Sequence, residues 1–195
     1  MATGAINAAN LLRGPGILYS SPLGTAFPAN TVAAGKFATT PFGAGWVALG
    51  STAEGSEFSD QLSVEGIEVA ESLYAVVQVS TGREASWTTA FAEVNRTNIK
   101  AGLNGGTSTT TGTAGTELTT VGPPALGSEV RNQIGWQSED DTVRFLGYQV
   151  LNVGALGFKF GKGTDLASIS IEWKFEKPST TEPWVMYLAG TERAK

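Results

Sequence analysis

At 195 residues the chain has the size of one domain, and it can bury roughly 70% of its unfolded surface without a disulfide or metal staple. The absence of cysteine and histidine excludes a disulfide framework, zinc–thiolate and iron–sulfur sites, thiol catalysis, and the commonest general base. A net charge of −5 argues against a duplex-gripping protein with its basic stripe, and the 16% of charged residues, against about 25% in a typical domain, leaves a Ser/Thr/Gly-rich surface suited to meeting other protein. No apolar run approaches the roughly 18 residues of a membrane span. Met1 to Asn10 lack the basic and apolar regions of a secretory leader, so the chain is expected to fold in a cytoplasm, with no membrane anchor.

In chain order, Gly16 to Ser20 reads as a first strand after a Gly14-Pro15-Gly16 turn, and residues 22–45, rich in Pro, Gly, Ala and Thr, as a long loop or insertion. Trp46 to Leu49 is a short strand ended by Gly50. Phe58 to Gln61 and Gly66 to Ala70 read as two strands flanking a turn near Ser63, and Tyr74 to Ser80 as a β-branched strand ending at Thr81-Gly82. Ala85, Trp87, Thr89, Phe91 and Glu93 share one face of the next strand. Asn95 then caps a short helix with Ile99 and Leu103 on its apolar side, stopped by Asn104-Gly105-Gly106. Residues 104–120 are low-complexity and read as a mobile loop. Val130 to Trp136 and Thr142 to Val153 are strands around the acidic turn Glu139-Asp140-Asp141, and a further turn is expected at Gly161-Lys162-Gly163. Ile169, Ile171, Trp173 and Phe175 alternate cleanly, and Trp184 to Leu188 is the last strand. The expectation is a single, mainly β domain over 1–195 with one short helix and flexible loops near 22–45 and 104–120.

Candidate chemistry is sparse. Glu139-Asp140-Asp141 lacks the spaced oxygen ligands of a calcium loop and reads as a solvated hairpin turn. No glycine-rich segment fits a dinucleotide or phosphate loop, no serine sits in a Gly-x-Ser-x-Gly elbow, and no histidine exists to activate one. A carboxylate-pair hydrolase is the weak enzymatic alternative. Neither a cofactor nor a metal is expected, and no enzymatic activity. One charge feature stands apart. No Lys or Arg lies between Phe37 and Gly82, yet Glu54, Glu57, Asp60, Glu65, Glu68 and Glu71 all do. These carboxylates form either a solvated hairpin or a shared surface that repels a polyanion over about a Debye length, near 8 Å.

The run of Gly14-Pro15-Gly16-Ile17-Leu18-Tyr19, Trp46 to Gly50, Glu54 to Phe58, Ile67 to Leu73, Thr81-Gly82-Arg83, the Trp87 to Glu93 strand, Leu103 to Gly106, Ile169 to Phe175 and Pro183-Trp184 resembles the major tail tube protein of long, non-contractile-tailed (siphovirus-type) bacteriophages, notably of actinobacterial hosts. The resemblance covers most of the chain through turns and apolar spacings rather than catalytic residues; 22–45 and 107–120 are less typical. It implies a β-sandwich or flattened barrel with one packed helix. It further implies hexameric rings stacked into a virion tail tube, assembled in the host cytoplasm with a tape-measure protein, a tail terminator and a distal tail or baseplate protein. Family members pass double-stranded DNA through an acidic lumen without specific binding, and a long hairpin contacts the neighbouring ring. The resemblance makes Glu54, Glu57, Asp60, Glu65, Glu68 and Glu71 lumen or ring-stacking candidates. The alternative is another virion or cell-surface β-module, such as a capsid decoration protein or an adhesin-like domain.

Overall fold

The computed structural model describes residues 15–37, 42–50, 52–67, 74, 76–160 and 167–190. Among them, nine strands join one antiparallel sheet in the order β4-β1-β9-β10-β12-β6-β5, with β13 and β11 attached at its middle. The main strands are β1 (Gly16–Pro22), β4 (Val47–Ala48), β5 (Thr52–Ile67), β6 (Val77–Phe91), β9 (Asn132–Ser138), β10 (Val143–Asn152), β12 (Ser168–Phe175) and β13 (Trp184–Leu188). β10 shares one edge between two partners: Val143–Gly147 pair with β13, and Val150–Asn152 with β12. β11 (Gly157–Lys159) takes up the other end of β12. The sheet curls until its halves face each other, so Phe58 of β5 lies 4.8 Å, ring to ring, from Phe145 of β10. The result is a mainly β, sandwich-like fold with one short helix among the described residues, as the composition suggests.

The core follows from the alternation in the strands. Trp87 and Phe91 of β6 meet Ile169, Ile171 and Trp173 of β12, with Leu18, Ile134, Phe145 and Val150 from the opposing half. Helix α1 (Arg96–Gly102) closes one end. Asn95 caps it by accepting from the Asn98 amide at 2.9 Å, while buried Asn98 donates through Nδ2 to the Glu93 carbonyl. Asn104, Gly105 and Gly106 all hold positive φ and end the helix where expected.

A second cluster covers the outer face of β1, β9 and β10. Phe42, Trp46 and Leu146 are buried there, with Tyr19, Phe27 and Tyr187 against them. Gly135 of β9 makes room for this cover: a Cβ at that position would overlap the Phe42 ring. The clamp is Arg144, which is fully buried. Its Nε donates to Gln137 Oε1 (2.9 Å), and its Nη1 to the Ala29 carbonyl and Asn30 Oδ1 (3.0 and 3.1 Å). The guanidinium also stacks on Phe37, 4.5 Å from the ring centre. Burial lowers its pKa, an effect that nearby Asp141 opposes. The segment read as a loop over 22–45 thus contains a small hairpin, β2 (Val32–Ala33) with β3 (Lys36–Phe37), and its described part is pinned across the sheet as a strap.

Three expectations change. The two strands around a turn near Ser63 are one unbroken strand, β5, and the β-branched strand does not end at Thr81-Gly82 but runs on as β6. The irregularity is a bulge: Ser63 pairs with Gly82 and Val64 with Ser80, leaving Thr81 over. Glu68 to Ala70 lie outside the described residues, as do Gly14 and the turn at 161–163. The stretch expected as a loop over 104–120 forms a second hairpin, β7 (Thr107–Thr111) with β8 (Leu118–Gly122). Its threonines are β-branched and pair across strands, as Thr110 and Thr119 do through their hydroxyls at 3.0 Å.

Replacing Arg144 with Ala strands Gln137 and the strap carbonyl and is expected to cost about 3 kcal/mol. Urea unfolding measures the loss, and limited proteolysis should show faster cleavage within 23–37. An unchanged midpoint with an equally resistant strap contradicts the clamp.

Candidate functional site

β5 and β6 are far longer than the body they belong to. At their base both strands are covered on one face, with Ala85, Trp87, Thr89 and Phe91 buried. Beyond Asp60 and Ala85 the cover ends, and residues 61–67 and 77–84 are all exposed. At roughly 3.4 Å per residue this free part is about 20 Å of two-stranded ribbon. Among the described residues β5 pairs with β6 alone, so its outer edge is open.

The ribbon is not polar. Leu62, Val64, Ile67, Val77 and Val79 stand out in solvent, and Tyr74 near its tip is 82% exposed. Cross-strand partners share a face, so register assigns them. Leu62 and Val64 continue the side that bears Phe58, whereas Glu65 opposite Val79 and Ile67 opposite Val77 lie on the other. One face of the ribbon therefore carries a carboxylate among three aliphatic side chains.

Its base is anchored by aromatics and one carboxylate. The Phe58 ring lies 4.9 Å from Trp184 and 5.8 Å from Phe175, besides Phe145. Two residues on, Asp60 accepts from Arg83 Nε (2.6 Å) and from Trp184 Nε1 (2.7 Å). The Asp60 side chain is only 13% exposed. The Arg83 hydrogen bond, helped by Trp184, holds its carboxyl below the usual carboxylate range against the opposing effect of burial. At the other end of β5, Gly55 with φ +87° absorbs a bulge between Thr52 and Ser56 that sets the strand's register.

The face of β5, β6 and β12 turned away from the core is polar. Glu57, Thr88 and Glu172 stand in one row, Ser59, Ser86 and Lys174 in the next, and Gln61 beside Glu84 beyond. Lys174 pairs with Glu84, which leaves Glu57 and Glu172 as excess negative charge on this surface.

The six sequence candidates thus separate. Glu57 and Glu65 are exposed, the first on the polar face of the body and the second on the ribbon. Asp60 is committed to Arg83 and Trp184. Glu54 lies in β5, with its side chain outside the described residues, and Glu68 and Glu71 lie outside them altogether. Glu139-Asp140-Asp141 does form the β9–β10 turn. Asp140 Oδ1 accepts from Ser138 Oγ, the Thr142 amide and Thr142 Oγ1, and Asp141 Oδ1 from Gln137 Nε2. Among the described residues no group of three or more acids is placed to hold a metal ion, and no helix is long and apolar enough to cross a membrane. Sequence reading found the β-branched run of 74–80 but missed that Val77 and Val79 stand exposed on a ribbon together with Leu62, Val64 and Ile67.

No family model and no curated protein matches this chain.

Asp60→Ala leaves Trp184 Nε1 and Arg83 without their acceptor and is expected to lower stability by about 2 kcal/mol. Because the folded-state pKa of Asp60 is depressed, its contribution is complete above the unfolded value near 3.9 and disappears as pH falls through the lowered one. Urea midpoints measured from pH 7 to pH 2 should therefore converge between wild type and variant at the acid end. A constant gap at all pH values would contradict the assignment.

Proposed function

We propose that this chain is a self-assembling structural subunit of the phage tail tube type, forming rings that stack into a tube around an acidic bore. The observation that carries the reading is the β5–β6 ribbon. A two-stranded ribbon is marginal in water on its own. This one holds its strands together for about 20 Å beyond the body while presenting an open edge and five aliphatic side chains. That combination suits a surface that is covered in an assembly, and a head-to-tail contact whose rotation closes yields a ring. The acid-rich polar face of β5, β6 and β12 supports the second half of the reading. Lined around an axis, Glu57 and Glu172 would repel a duplex that carries about one charge per 1.7 Å. Hexameric rings, virion location, and tape-measure, terminator and distal tail partners belong to the same proposal through the resemblance in sequence.

A capsid decoration or adhesin-like module is favoured by one feature, the exposed, threonine-rich β7–β8 hairpin. Electron microscopy of the purified chain over a range of concentrations separates the readings. The tube reading predicts rings or tubes of uniform width, and Leu62→Ser with Val79→Ser should abolish them while the unfolding free energy from urea titration changes by less than about 0.5 kcal/mol, as for exposed sites. A chain that stays monomeric at every concentration and salt, with a tape-measure protein present, would exclude it.

A further inference from the structure

If the ribbon is covered by a second copy, the body must offer a place to receive it. A cavity of about 550 Å³ opens between α1, the β1–β4 edge and the start of β7. Arg96 and Lys100, one turn apart on α1, both line it. Arg83, Arg131, Lys174 and Lys177 each pair with a carboxylate, and Arg144 is buried within the strap. Among the described residues Arg96, Lys100, Lys36 and Lys159 have no such partner, and of these four Arg96 and Lys100 line this cavity. The rest of the cavity wall is mixed. Val47 and Val130 contribute exposed aliphatic surface, and Ser108 of β7 brings a buried hydroxyl that has no hydrogen-bond partner. Two free cations, an unsatisfied hydroxyl and flanking valines are complementary to a carboxylate set among aliphatic side chains.

The ribbon carries that pattern. Glu65 stands opposite Val79 and shares its face with Ile67 and Val77, and no Lys or Arg occurs between Phe37 and Gly82 to oppose it. The geometry points to a contact between copies in which the Glu65 face of one ribbon enters the Arg96–Lys100 cleft of a second copy. Glu65 lies between the two cations, and Ile67 and Val79 lie against Val47 and Val130. This inference rests on the self-assembly reading and names both halves of the interface. The contact is heterologous, since ribbon and cleft are different surfaces, so it repeats from copy to copy instead of stopping at a dimer.

Because the natural chain has no cysteine, engineered thiols report only the intended proximity. Val79→Cys and Val47→Cys variants leave every charge of the contact in place. Mixed and treated with a short bis-maleimide, they should give a cross-linked mixed dimer that neither variant gives alone, and a chain bearing both should give a ladder. In parallel, Lys100→Glu should raise the concentration needed for assembly at least roughly tenfold, and Glu65→Lys in the same chain should restore it. Assembly of wild type without the mixed dimer, or with an unchanged threshold for Lys100→Glu, overturns this contact and leaves the tube reading standing. A wild-type chain that never leaves the monomer overturns both.

Discussion

Two strands that leave the body of a β-protein together can satisfy only half of their backbone groups with each other. Each keeps a second edge of donors and acceptors, and each displays both of its faces. Water can solvate the edges, but it gains nothing from the aliphatic side chains of Leu62, Val64, Ile67, Val77 and Val79. A chain that maintains such a ribbon has either a partner for it or an aggregation hazard. The rest of the architecture makes sense as the support of this one element.

That support is concentrated where the ribbon leaves the body. Phe58 packs among Phe145, Phe175 and Trp184, and Asp60 ties β5 to its partner strand through Arg83 and to β13 through Trp184. Bulges near Gly55 and at Thr81 add twist on either side of this anchor. On the far side of the sheet the buried guanidinium of Arg144 holds the strap over β9 and β10, so the body is finished there while the β5 edge stays open. The polar surface of β5, β6 and β12 lies on the same side of the sheet as Glu65, so one pair of strands supplies both the acid-rich face and the assembling arm.

Much of the body was legible in the sequence. The Asn95 cap, the buried alternation of β6 from Ala85 to Phe91, the strand from Ile169 to Phe175 and the acidic turn at 139–141 all stand where local patterns put them, because one covered face gives a period of two and a cap has its own chemistry. The ribbon was harder to read for the same reason. With both faces exposed nothing imposes alternation, so the stretch near Ser63 looks like a turn, and the bulge at Thr81-Gly82 looks like a strand end. Asp60 counted as one of six equivalent acids because its two partners lie 23 and 124 residues away. The hydroxyl-rich 107–122 hairpin was hidden by low complexity, although β-branched threonine is a natural strand residue.

The central claim is that the ribbon is completed by other copies of the chain. Amide hydrogen exchange resolved over 61–67 and 77–84, compared between dilute and concentrated protein, tests it most directly. The account predicts rapid exchange in dilute solution, with β9, β10 and β12 already protected, and strong protection of the ribbon once the protein assembles. Ribbon amides as protected as the core at dilution, or equally unprotected at both concentrations, would contradict it.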